Sequence, residues 1–460
     1  MNWEKRICAC VKILVGACIV IAIFKIFKFV ERDRWVFSGG KLLRVAPPML
    51  GNGSRIRRLR SATSGLKLPS QLDGEPLRAI GKYAFEDIGN VRSIFIPSTV
   101  ETIDSRAFAA GCYELETIVV DKVNAHYVSV DGVLYDRSMK TLVACPPARK
   151  KGKLLIPEGV TKIGDYAFRG CRYTAVKVPE SVEEIGKSAF AHSSCIESVP
   201  QSVHSIGESA FMGCWSLRTA KIPPAVHHIK RQTFWFCLQL TSVAIPSNSV
   251  MIIDEEAFQG CSQLTSVMIP SSVWRMGSSA FKGCSRLETV RFESCGGVFA
   301  EGAFADLTSL EKLTLLEKVR IGGRNAEGAF ADCTSLAKLT LPEGLSNIGD
   351  SAFIRCRSLT EVLIPRSVRS IGRCAFCGCS GLTSLLIPES VESIGTEAFA
   401  GCSRLTSLSM PASVTEIRRN AFARCPNLHT VYVKSGDAER VRGLLAESRF
   451  EVSKVQTIER

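Results

Sequence analysis

Any chemistry in this chain would have to come from cysteine and histidine. Nineteen cysteines but only six histidines are spread over 460 residues. The densest group is Cys374-x-x-Cys377-x-Cys379, a spacing that could bind a soft metal or cycle between dithiol and disulfide. A structural zinc site needs four ligands, and neither a second C-x-x-C nor a nearby histidine accompanies these three. Cys377 falls in a slot where other segments carry Gln259, Lys282 or Ala400, so it is expected at the surface. His227 and His228 replace residues such as Glu392 and Ser393, and solvent exposure is the expectation for both. The chain has no G-x-x-x-x-G-K-[ST], no G-x-S-x-G and no His-Glu-x-x-His, the spacings that cradle phosphate, present a nucleophile or bind catalytic zinc. No catalytic residue, metal or cofactor is therefore expected.

The other cysteines are regular. Cys171, Cys214, Cys237, Cys261, Cys284, Cys333, Cys356, Cys379, Cys402 and Cys425 each lie three residues after a phenylalanine, with Cys112 and Cys195 slightly displaced. Stacked coils about 4.8 Å apart would fall inside the disulfide window, so distance allows a bonded ladder. Leu307 occupies the same slot, which favours packing, the usual role of a buried free cysteine.

That spacing belongs to a larger repeat. Phenylalanine recurs at 85, 108, 168, 190, 211, 234, 258, 281, 304, 330, 353, 376, 399 and 422, and eight of the thirteen intervals are 23 residues. One unit reads Cys261-Ser-Gln-Leu264-Thr-Ser-Val267-Met-Ile269-Pro270-Ser-Ser-Val273-Trp-Arg-Met276-Gly277-Ser-Ser-Ala280-Phe281. Leu264-x-x-Val267-x-Ile269 has the spacing of a leucine-rich repeat strand. Pro270 ends it, having no N–H for a ladder. Val273 to Gly277 turns the chain back, and Ala280-Phe281 fills the interior. A unit this small cannot bury its apolar face alone, so stacking must supply the core. The fold class expected is an α/β repeat solenoid, with a strand and a short turn-back segment per coil. It should be one cooperative body over 66–433.

The string I-P-x-S-V-x-x-I-G-x-x-A-F-x-G-C-S-x-L-T-S resembles the BspA-type (Treponema-type) leucine-rich repeat, over about Leu66 to Val433. The 60-residue gap between Phe108 and Phe168 fits the hairpin insertion found in that family, near 121–152, with Asp131-Gly132 as a hairpin-turn signal. The resemblance implies a role in cell-surface adhesion or host interaction.

The ends differ from the repeat. Ile13 to Phe24 is uncharged, and Ile7 to Val30 is long enough to cross a bilayer if its lysines reach the interface. We read 1–34 as a tail and signal-anchor helix, with lipidation at Cys18 as an alternative. Residues 35–65 read as a basic linker and 434–460 as a helical cap, with Val441, Leu444 and Leu445 on one face. Net charge is +14, but residues 1–67 hold 14 basic and 3 acidic residues, leaving 44 basic against 41 acidic on the rest. A nucleic-acid surface would need that charge on the folded body, so no nucleic-acid partner is expected. The basic residues after the span, Arg55 to Arg60 among them, favour a cytoplasmic body, whereas the short N-terminal tail leaves orientation open.

Two surfaces stand out. On the strand face, the residues flanking each central apolar position should point outward: Lys177, Lys221, Arg291, Lys312 and Lys338, then Leu363 and Leu386. On one edge, two consecutive coils carry Met212 and Trp215, then Trp235 and Leu238, in slots that are polar or small elsewhere. Exposed clustered aromatics are typical interface anchors. The function expected is non-catalytic binding of a protein or cell-surface ligand, membrane-anchored and extracytoplasmic. An intracellular or periplasmic tethered scaffold is the alternative, and an enzyme with an unrecognised site the remote one.

Overall fold

The computed structural model describes most of residues 64–450, with its longest interruptions at 294–297, 316–319 and 322–327, and the backbone of strands in 34–60 and 456–459. The proposed anchor, Ile13 to Phe24, lies outside the described residues, as does Cys18. No helix among the described residues is long and apolar enough to cross a membrane. The chain forms two compact units, 1–137 and 138–460, both built of β-solenoid coils.

In the larger unit most coils carry two short strands, and the coil after Phe190 carries one, Ser205–Ile206. The longer ones stack in parallel into an eleven-stranded sheet, from Thr219–Lys221 through Thr430–Val433 to Gln456–Glu459. The shorter ones, such as Ile252–Ile253 and Arg275–Met276, pair in register along a second side. A third backbone ladder runs through the phenylalanine turns. There the N–H groups two residues before the phenylalanine, at it and two residues after it reach the next coil: Glu256 to Ser278, Phe258 to Ala280 and Gly260 to Lys282, at 2.7–2.9 Å. Every side of the coil thus satisfies backbone groups that burial would otherwise leave unpaired.

This third ladder corrects the expected α/β class. The repeats among the described residues contain strands and turns but no α-helix, because the residues flanking the phenylalanine are left-handed. Two residues before it, Ser188, Gln232, Glu256, Ser279, Cys374 and Glu397 have φ of 51–57°. Two residues after it, Gly213, Gly260, Gly283 and Gly401 have φ of 61–74°. A positive φ cannot continue a right-handed helix.

The core is a column of rings. From Phe168 to Phe422, twelve phenylalanines stack at centroid distances of 4.9–5.7 Å, almost parallel, and all are fully buried. The motif's serine is also explained: the Ser272 hydroxyl donates to the Val250 carbonyl at 2.7 Å, and Ser367 to Leu345 and Ser413 to Val391 repeat the bond. A Cβ on Gly277 would collide with the Glu255 backbone of the preceding coil, so glycine there permits the close approach.

The open end is covered by the helix Ala438–Glu447, with Val441 and Leu445 buried. The Ser448 carbonyl accepts the Asn420 N–H at 2.7 Å, where another coil's carbonyl would otherwise stand. Phe450 meets Phe422 edge-on at 6.4 Å, and strand Gln456–Glu459 pairs with Thr430–Val433.

In the smaller unit, strands Gly65–Lys67, Ser93–Ile96 and Thr117–Val120 pair in parallel, and Phe85 stacks on Phe108 at 4.7 Å. A hairpin joins Tyr127–Val130 to Val133–Asp136 through Asp131 and Gly132, both with positive φ. Buried Asn124 supports it, donating to the Pro97 and Val100 carbonyls and accepting the His126 and Tyr127 N–H groups. The stretch read as a basic linker contains three strands, Arg34–Ser38, Lys41–Ala46 and Ser54–Arg60, paired antiparallel in that order.

Candidate functional site

The parallel sheet of the larger unit presents two outward rows, one on each side of its central buried position. In one row Lys312 stands directly beside Lys338, and Lys338 beside Glu361. The other row contains Lys221 beside Ala244 and Met268 beside Arg291. Further along it Leu363 stands directly beside Leu386, which stands beside Ser409. All four basic residues are exposed, and Leu363 and Leu386 are 64% and 63% exposed. Lys177 is exposed but belongs to a separate two-stranded sheet, Lys153–Leu155 with Ala175–Lys177. A cleft of about 760 Å³ opens where the leucines lie, lined also by Met410, Tyr432, Arg366, Glu389 and Lys434.

Neighbouring strands are about 4.8 Å apart, and like charges placed directly opposite repel. The Lys312–Lys338 pair, with Arg291 one coil away, is therefore a surface that an acidic group would relieve. The adjacent leucine pair is one that an apolar group would cover.

The second surface lies along the phenylalanine turns. Trp215 is 55% exposed and Leu238 41%, whereas Met212 and Trp235 are half-buried. The Trp235 indole N–H donates to Gln259 Oε1 at 3.3 Å. Sequence reasoning missed Phe236, which is 41% exposed and lies 4.3 Å from the Trp235 ring. It stands where other coils have Gly213, Gly260 and Gly283, and its φ is +52°. A bulky residue in this region is a conformational outlier. The signal was available in the sequence as an aromatic in the repeat's glycine slot.

The cysteines resolve into two kinds. Ladder thiols donate across coils to the carbonyl of a phenylalanine: Cys214 to Phe190 at 3.1 Å, Cys237 to Phe211 at 3.1 Å, Cys261 to Phe234 at 3.2 Å, Cys379 to Phe353 at 3.1 Å. The fifteen described cysteines are all free. The slot thus offers its thiol an acceptor as well as space, and Leu307 fills the space without the bond. Cys374 and Cys377 stand outside this ladder. Cys377 is half-buried, not exposed as expected. The cause is the coil stack: its carbonyl accepts the Arg355 N–H of the preceding coil at 2.7 Å, and Gly378 beside it donates to the Ala400 carbonyl of the next. No group of three or more His, Cys, Asp or Glu among the described residues is placed to hold a metal.

Of the two histidines, His227 is exposed as expected and His228 is not. His227 Nδ1 donates to the Ser249 carbonyl at 3.0 Å, and His228, half-buried, lies 3.2 Å from Asp254 Oδ2. Both tie one coil to the next, as Thr415 and Ser370 do from the same slots of later coils.

Against known proteins, the family model for the BspA type leucine rich repeat region matches residues 66–130, 150–254, 229–326 and 326–439. A leucine-rich repeat protein from Bacteroides ovatus is similar at 26% identity, over 94% of this chain and 99% of that one, with a TM-score of 0.59. A leucine rich cell surface protein from Faecalibacterium prausnitzii is similar at 24% identity, over 89% of this chain and 97% of that one, with a TM-score of 0.43. No curated protein matches. With its coils, its phenylalanine column and the family match running through the same residues, this chain belongs to the BspA-type leucine-rich repeat family.

Proposed function

We propose that this protein is a non-catalytic binding module whose larger unit holds a protein partner against its parallel sheet. The observation that carries this reading is the side-by-side pair Leu363 and Leu386, both largely exposed on a sheet whose earlier coils present Lys221, Arg291, Lys312 and Lys338. Soluble surfaces seldom keep contiguous apolar groups open. The partner that fits has acidic groups over the lysines and an apolar group over the leucines. Joint charge reversal of Lys221, Arg291 and Lys338 should slow association and flatten or invert the loss of binding with salt. Leu386→Ser should speed dissociation. Binding to a captured partner, left intact by the triple reversal, would rule the sheet out.

The aromatic edge is a second contact surface, favoured by the strain at Phe236, since strained backbone clusters at functional positions. Replacing Trp215 and Trp235 together by serine should weaken partner association by at least about 2 kcal/mol, the scale of an aromatic hot spot, at near-normal melting temperature. Phe236→Gly should raise stability by about 1 kcal/mol, the usual relief at a left-handed position, while weakening the same association. A clear loss of stability in the double tryptophan variant would mark the patch as structural.

Membrane attachment with the repeats on the extracytoplasmic face, in an adhesive role, completes the proposal. Its support is the uncharged run Ile13 to Phe24, read as a signal anchor. Protease treatment of intact cells should remove residues 66–433; their full protection would favour the tethered scaffold on the other side.

A further inference from the structure

Cys374 and Cys377 are the two described cysteines in one phenylalanine turn that the carbonyl ladder does not use. In other coils these two slots carry Ser279 and Lys282, Glu397 and Ala400, or Glu256 and Gln259, so neither slot calls for sulfur. The Cys377 N–H donates to the Cys374 carbonyl at 3.1 Å, which closes a turn between residues three apart. Such a turn holds its end Cα atoms within about 7 Å, and disulfides span about 4.4–6.8 Å. The Cys374 thiol donates to Glu397 Oε2 of the next coil at 3.7 Å, a bond that the disulfide would replace. Cys379, two residues on, is fully buried and donates to the Phe353 carbonyl at 3.1 Å, so it is oriented away from this pair.

We propose that Cys374 and Cys377 form a reversible disulfide by exchange with a small-molecule disulfide, while the buried ladder stays reduced. Half-buried Cys377 is the thiol that solvent reaches. Its thiolate attacks one sulfur of the reagent, breaking the reagent's S–S bond and releasing one thiolate. The Cys374 thiolate then attacks the Cys377 sulfur of the mixed disulfide and releases the second. Two protein thiols are oxidised, one reagent disulfide is reduced to two thiols, and the two protons leave with those products. Burial raises both thiols above the ordinary cysteine value, so the thiolate fraction, and with it the exchange rate, should rise about tenfold per pH unit between 7 and 8.

The test uses the full-length native protein, oxidised glutathione, an acid quench, alkylation after denaturation and peptide mapping by mass spectrometry. The expected result is loss of two alkylatable thiols, mapped to a Cys374–Cys377 bond that dithiothreitol reverses. Cys374→Ser should stop the reaction at a mixed disulfide on Cys377, and Cys377→Ser should abolish it. A bond mapped instead between ladder cysteines such as Cys402 and Cys425, one between Cys377 and Cys379, or a wild-type reaction that stops at the mixed disulfide would overturn the proposal. So would full retention of thiols at pH 8.

Discussion

Phe281→Ala should lower the unfolding free energy by roughly 3–5 kcal/mol, the range for deleting a large buried aromatic. Phe281 is fully buried and stacked on Phe258 at 4.9 Å and on Phe304 at 5.3 Å, so the cavity opens inside a continuous column. Its neighbours cannot close the gap, because their positions are set by the backbone ladder in which the Phe281 N–H reaches the Ala303 carbonyl at 2.8 Å. Stacked pairs contribute about 0.5–1.5 kcal/mol beyond the area they bury, and two are lost here. Urea titration monitored by circular dichroism measures the change, and a loss under about 1 kcal/mol would contradict the stacked column. The same titration tests cooperativity. The chain forms units 1–137 and 138–460, and our proposal remains that 66–433 unfolds as one body. Tryptophan fluorescence and backbone circular dichroism should then share one midpoint; two resolved transitions would sink it.

The repeat, its strands and its phenylalanine column were legible because they depend on side-chain type at fixed spacing. Leu264, Val267 and Ile269 alternate inward as a strand must, and all are buried. The phenylalanine turn was not legible as a third ladder. Its left-handed position two residues before the phenylalanine is filled by serine, glutamine, glutamate, cysteine and asparagine, so no residue type marks it. What holds the backbone there is the row of inter-coil N–H bonds, which sequence does not display. The cysteine slot was read as space for a small apolar group, and its acceptor became visible only when coils 23 residues apart were brought into contact. On the sheet, alternation correctly predicted which side chains face out. It did not show that Lys312 and Lys338 are direct neighbours, because register depends on how the 26-residue interval between Phe304 and Phe330 is accommodated; nor that Lys177 lies on another sheet, because the coil after Phe190 places no long strand between Ala175–Lys177 and Thr219–Lys221. Phe236 was legible and overlooked, since only its position relative to the repeat's glycine makes it unusual.

Alkaline pH should destabilise the protein, and the buried thiols set both the direction and the onset. Burial pushes Cys195 and Cys237 from an ordinary 9.0 up to about 12. In the unfolded chain these thiols ionise near 9 and in the folded chain they stay protonated, so above pH 9 the folded state binds more protons. Stability must then fall as pH rises. Below pH 9 both states are protonated and the contribution is constant. At pH 10 each thiol lowers the unfolding free energy by on the order of 1 kcal/mol, so these two together account for a few kcal/mol. Cys214, Cys333 and Cys356, also raised well above the ordinary value by burial, add in the same direction. The measurement is the urea unfolding free energy at pH 8 and pH 10 under a reductant that does not titrate in that range. Cys237→Ala isolates one thiol, because it removes the group that ionises on unfolding. The variant will be less stable at pH 8, having lost the bond to the Phe211 carbonyl and the sulfur's volume. Its further loss between pH 8 and pH 10 should nevertheless be smaller than that of the wild type by on the order of 1 kcal/mol. Equal losses in the two proteins would mean that Cys237 ionises as readily folded as unfolded, which a thiol sealed between coils cannot do.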